Sequence, residues 1–224
     1  MKWLEFIFSL LSDLITGNKK ATSSLLLDTV NNLTMNKEQS PTNQSNYIWE
    51  TRVLISQLEK MGFYKYADPS MIEGIKKEAI EKDYVFCGEF GREFPADAEA
   101  LGQCGLSDFF KEIKDFLDKQ NVIINISEEN AEENGYHITI NDCSYEIYSE
   151  QELQQDWWKL SSIRCFSIIN KLLEEAGSKE RIYHINDGND QFAIFLTEEM
   201  YQSIYDHCSL AERDKPKFVG NIFR

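Results

Sequence analysis

Basic side chains are scarce in this chain. Lys and Arg number 23 against 38 Asp and Glu, for a formal net charge of −15. Direct DNA or RNA binding needs a basic stripe that displaces counterions from phosphates, and none is present, so nucleic acid is not an expected partner. Histidine is rarer still, at three residues. No complete catalytic or metal motif can be assembled, so no catalytic residue, metal or cofactor is assigned. Cysteine occurs five times, at 87, 104, 143, 165 and 208. The odd count and irregular spacing fit no zinc or redox pattern and suit a reducing compartment, so a cytoplasmic location is expected. Long apolar runs are also lacking. The longest, Trp3–Ile15, would span about 20 Å as a helix, short of a bilayer core of about 30 Å.

What is present is acid, all of it in one part of the chain. Residues 1–47 carry Lys2, Lys19, Lys20 and Lys37 against Glu5, Asp13, Asp28 and Glu38, and sum to zero. The remainder therefore holds the whole of the −15. With 42% apolar residues and 28 aromatic side chains (14 Phe, 10 Tyr, 4 Trp), a sizeable core is expected there. The organisation reads as an amphipathic helix and polar linker over 1–46, then an acidic α+β domain over 47–224.

The leader helix places Trp3, Ile7, Leu10 and Leu14 beside Leu4, Phe8, Leu11 and Ile15 in one broad stripe. Packing on the body or on another subunit is the favoured reading. Membrane association through residues 3–15 is weakened by the absence of Lys or Arg on the polar face. A cleaved signal is disfavoured by a single leading lysine and two internal acids. Gly17 is a helix stop, and 36–46 reads as linker.

In the body, Val53, Leu54, Leu58 and Met61 recur at helical spacing, and Gly62 ends that helix. Asp68-Pro69 opens a second helix and Ser107 caps a third that runs to Lys119. Tyr84–Cys87 and Val122–Ile126 read as strands. An acidic loop with Glu128, Glu129, Glu132 and Glu133 leads to a hairpin of Tyr136–Ile140 and Tyr145–Tyr148 about an Asn141-Asp142 turn. Glu150–Ala176 reads as the longest helix. Arg181–Ile185 and Gln191–Leu196 form a second hairpin, and Thr197 starts a short terminal helix. Hairpins dictate antiparallel pairing, so the fold class is α+β, with helices packed on one face of a mainly antiparallel sheet.

Three constellations merit weighing. Cys87, with Glu89, Glu93 and Asp97 near it, offers a thiol or paired carboxylates, but no base can be placed beside the thiol from sequence. Asp187-Gly188-Asn189-Asp190 has part of a calcium loop and lacks the terminal bidentate Glu. The acids Glu128, Glu129, Glu132, Glu133, Glu152 and Asp156, joined by Trp158, would gather at one end of the first hairpin. They form the predicted partner-binding surface, because tryptophan on an acidic helix is the kind of residue that anchors an interface.

Ile168-Ile169-Asn170-Lys171-Leu172-Leu173, Glu180-Arg181-Ile182-Tyr183, Gly188-Asn189-Asp190 and Ala193-Ile194-Phe195-Leu196-Thr197 together resemble small acidic immunity proteins of bacterial polymorphic toxin systems. Met61-Gly62-Phe63-Tyr64-Lys65-Tyr66-Ala67-Asp68 adds to the likeness. The resemblance implies a non-enzymatic inhibitor that occludes a basic toxin or effector domain, and it carries over no individual residue. The alternative expectation is a thiol- or carboxylate-dependent hydrolase using the Cys87–Asp97 region.

Overall fold

The computed structural model describes residues 41–88, 90–132, 135–207 and 210–223. The predicted leader helix at 3–15, with Glu89, Glu133 and Cys208, lies outside them. Backbone proximity divides the chain into units Met1–Tyr47 and Ile48–Arg224, and the second holds the elements built below apart from the first turns of α1. Among the described residues no helix is long and apolar enough to cross a membrane.

Helix α1 spans Pro41–Lys60. Proline fits its first turn because no intrahelical N–H is needed there. Residues 41–46, expected as linker, are therefore helical. Gly62 follows with φ +84, a left-handed conformation that glycine adopts without strain. Helix α2, Ile72–Lys82, starts later than expected, because Asp68 spends its carboxylate on the Ser70 N–H and hydroxyl in a turn. The predicted strand at Tyr84–Cys87 is irregular chain; a strand comes later, as β1, Glu93–Pro95.

Helices α3 (Ala98–Gly102), α4 (Leu106–Glu112) and α5 (Lys114–Lys119) follow. The predicted single helix from Ser107 is thus broken at Ile113. Strand β2 is Ile126–Glu132, so the expected acidic loop is a strand, and Val122–Asn125 is not. Strands β3 (Gly135–Ile140) and β4 (Cys143–Ser149) form the expected hairpin. Its turn is Asn141-Asp142, with φ of 51° and 63° and Ile140 opposite Cys143. Both central residues at positive φ match the right-handed strand twist.

A 3-10 turn over Glu150–Gln154 precedes α6, Trp157–Glu175, which splits the expected long helix. Helix α6 ends in a reciprocal motif: Gly177 N–H donates to Glu174 and Ser178 N–H to Leu173, with Gly177 at φ +70. Strands β5 (Glu180–Ile185) and β6 (Phe192–Thr197) form the second hairpin. Thr197 caps α7, Glu198–Tyr205, by accepting from the Met200 N–H. A two-residue strand, β7, Lys217–Phe218, was not foreseen.

The fold is α+β with antiparallel pairing throughout. The strands fall into two sheets, of order β1-β6-β5-β7 and β2-β3-β4. The three-stranded sheet has one covered face: Tyr136, Ile138, Ile140, Tyr145 and Ile147 are buried, while His137 and Glu146 pair across the exposed face. The four-stranded sheet is covered on both. Ile182, Ala193 and Phe195 join the core of α4, α5 and α6. Tyr183, Ile185, Ile194 and Leu196 join the core of α1, α2 and α7. This is why β6 reads as an unbroken apolar run rather than an alternating one. Each fully buried Ile, Leu or Phe among these contributes about 1.5–3 kcal/mol.

Candidate docking surface

The structure uses several of the predicted contact acids to hold the fold. Glu129, on β2, accepts hydrogen bonds from the Leu106 and Ser107 N–H groups at 3.0 Å and 3.2 Å, and from the Tyr136 hydroxyl. It is the cap of α4, delivered across space from a strand. Glu152 forms a bidentate pair with Arg164, at 2.8 Å to each nitrogen, and closes a capping box with Ser149. These hydrogen bonds, Arg164's first, hold its carboxyl down at about 2. Asp156 caps α6 through the Lys159 N–H. Trp158 is half-buried, its ring 5.5 Å from that of Trp157, with its indole N–H buried and without a hydrogen-bond partner among the described residues. Glu128 is exposed, and Glu132 ends β2 opposite Gly135.

The Cys87–Asp97 region is arranged against thiol chemistry. The Cys87 thiol donates to the Tyr84 carbonyl at 3.2 Å, and burial pushes it up to about 11, so it stays protonated at neutral pH. Cys87 packs on the α1–α2–α7 core. His184 faces the opposite side of the sheet, where its ring stacks on Phe166, and His137 pairs with Glu146 on the other sheet. Neither brings a base to the thiol. Asp97 caps α3 through the Glu99 and Ala100 N–H groups. Glu93 accepts from the Gly88 N–H, and burial raises its carboxyl to about 6. Cys87, Cys104, Cys143 and Cys165 are free thiols. In the Asp187–Asp190 turn, Asp187 is already engaged by Lys217 at 2.8 Å and by His184. Among the described residues no group of three or more metal-ligating side chains gathers.

An apolar groove lies at the start of α4, where Glu129 caps Ser107. It has a volume of about 440 Å³ and runs between α4–α5 and the extended segment Val122–Ile126. Phe110, Leu117 and Val122 form its buried floor. Ile123 stands 82% exposed at its edge, the most exposed large apolar side chain among the described residues. Asn141 holds the segment in place: its side chain accepts from the Asn125 N–H and donates to the Ile123 carbonyl, each at 2.8 Å. The rim is polar. Lys111 and Lys114 are neutralised by Asp108 and Asp118. Glu112 and Asp115 are further exposed carboxylates on α4 and α5, outside the groove lining. Ile123 had a sequence signal: Val122-Ile123-Ile124 has no polar alternation, so not all three can point inward from one surface segment.

Comparison with known proteins found no matching family model, no matching curated protein and no matching solved structure.

Proposed function

We propose that this protein is a non-enzymatic binding module that docks a basic protein at the α4–α5 groove. The observation that carries the reading is the groove itself, with Ile123 82% exposed beside buried apolar neighbours and a charged rim of Lys111, Lys114 and Asp118. Contiguous exposed apolar surface rimmed by polar groups is a mark of interaction sites. The net charge of −15 steers a cationic partner towards the chain, and the apolar floor holds it once docked. With the immunity-protein resemblance, this reads as an inhibitor that occludes a basic toxin or effector domain in the bacterial cytoplasm. The hydrolase alternative has less support, because burial raises the Cys87 thiol to about 11 and neither His137 nor His184 stands beside it.

The test is affinity capture from native lysate at low and high salt, with wild type and Ile123→Asp in parallel. One stoichiometric basic protein, released by salt and lost with Ile123→Asp, is the expected result. Equal capture by both forms would remove the groove from the interface.

A further inference from the structure

A second surface stands at the far edge of the four-stranded sheet. Four aromatic rings from β7, β5 and α7 form a continuous ladder: Phe218, Tyr183, Tyr201 and Tyr205. Successive ring centroids are 5.4, 4.6 and 5.5 Å apart, with the central pair stacked at 16°. The middle of the ladder is anchored, Tyr183 being 1% exposed. Its two ends reach solvent: Phe218 is 52% exposed and Tyr205 is 39% exposed. Aromatic faces carry negative electrostatic potential and attract cations. The chain already makes one such contact here, with the Lys215 ammonium 4.9 Å from the Tyr205 ring centroid.

The surrounding charge strengthens this preference. Helix α7 and the residue that ends it carry Glu198, Glu199 and Asp206 and no basic side chain, while Arg213, Lys215 and Lys217 at the β7 end are each paired with a carboxylate, Asp214, Glu212 and Asp187 in turn. Burial first, then Tyr205, Glu198 and Asp206, raise the Tyr201 hydroxyl, so these acids are felt at the rings. Strand β7 is the last in its sheet and has no further strand beside it among the described residues. An end strand offers backbone hydrogen bonds to an added strand. A second copy of this chain is a poor occupant, because two bodies of −15 repel.

We propose that this aromatic ladder and the β7 edge form a docking surface for an extended, arginine- or lysine-bearing segment of a protein partner. The partner's backbone lies along β7, and its cations lie over the open rings and beside the α7 carboxylates. The inference rests on the reading of a protein that binds basic partners, and it assigns them a contact separate from the groove.

The probe is a fluorescein-labelled hexapeptide of alternating arginine and valine, titrated by anisotropy against the full chain. The Tyr205→Ala/Phe218→Ser double variant is expected to bind at least tenfold more weakly with an unshifted melting midpoint, since both side chains are exposed. A glutamate–valine peptide is expected not to bind, and Ile123→Asp to bind the arginine peptide within twofold of wild type. Equal binding by the double variant, or no binding of the arginine peptide to wild type, would overturn the ladder proposal. Loss of binding in Ile123→Asp alone would assign the peptide to the groove, which overturns the ladder and leaves the groove reading standing.

Discussion

Arg92 is the most heavily committed side chain in the described structure. It is 1% exposed and donates to the Phe63, Gly62 and Phe195 carbonyls and to the Glu180 carboxylate, the last at 2.7 Å. It therefore ties the turn after α1 to the centre of the four-stranded sheet. Removing one partner of a buried pair strands the other charge in low dielectric. Arg92→Met is expected to lower stability by about 3–5 kcal/mol, with Glu180→Gln added to it recovering part of the loss in a denaturant double-mutant cycle. Glu93 acts in the opposite sense. Its carboxyl is raised from 4.5 to about 6 by burial, so the folded state holds a proton that the unfolded state has released. Stability from this group is present below pH 4.5 and is lost as pH rises to about 6. Glu93→Gln is expected to raise stability at pH 7 by about 1–2 kcal/mol and to flatten the melting-temperature profile over that window. No change between pH 4.5 and 6 would show that Glu93 titrates as a solvated acid. Glu152 has the reverse sign. Its carboxyl lies at about 2, so its stabilisation is full above 4.5 and fades as pH falls towards 2.

Elements depend on a few positions where backbone and side chain meet closely. A Cβ on Gly102 would stand 2.6 Å from the Trp157 ring and 3.1 Å from that of Trp158. Gly102→Ala is expected to destabilise by about 1–3 kcal/mol through overpacking, with a shifted tryptophan emission as the second readout. Asn141 does double duty, since it holds positive φ in the β3–β4 turn and clamps Val122–Asn125 along the groove. Asn141→Ala is expected to cost about 1–3 kcal/mol and to weaken partner binding. Asp142→Gly, at the other positive-φ position, should leave binding intact and hold or raise stability. Equal binding losses in the two would mean that the turn, not the clamp, matters. The same positions explain what was legible in the sequence. Asn141-Asp142 announced its hairpin because the turn chemistry is local. The β5–β6 hairpin and the Thr197 cap were legible for the same reason. Strands β1 and β7 were not, since segments of three and two residues exist only because β6 and β5 offer them edges. Strand β2 was hidden by its acids. Glu128 and Glu129 have low strand preference, and the pairing with β3 overrides it. Among the predicted contact acids, Glu129 caps a helix 22 residues away in sequence, a partnership no local pattern encodes.

At the scale of the whole molecule, the proposed basic partner rests on the charge sum and the groove together. The −15 lies wholly in residues 48–224, and the α4–α5 groove gives that field an apolar centre to steer towards. Association with a cationic partner should therefore be fast at low salt and slow markedly as ionic strength rises, while Ile123→Asp should act on dissociation. The groove was not legible in the sequence. Its two walls come from segments whose packing depends on the Asn141 clamp and on Glu129 capping α4. The most direct measurement is hydrogen–deuterium exchange of the chain alone and with its captured basic partner. The account predicts new protection centred on residues 107–126, with Ile123 and its neighbours among the most slowed. Protection confined to other elements, with 107–126 exchanging as in the free chain, would contradict it.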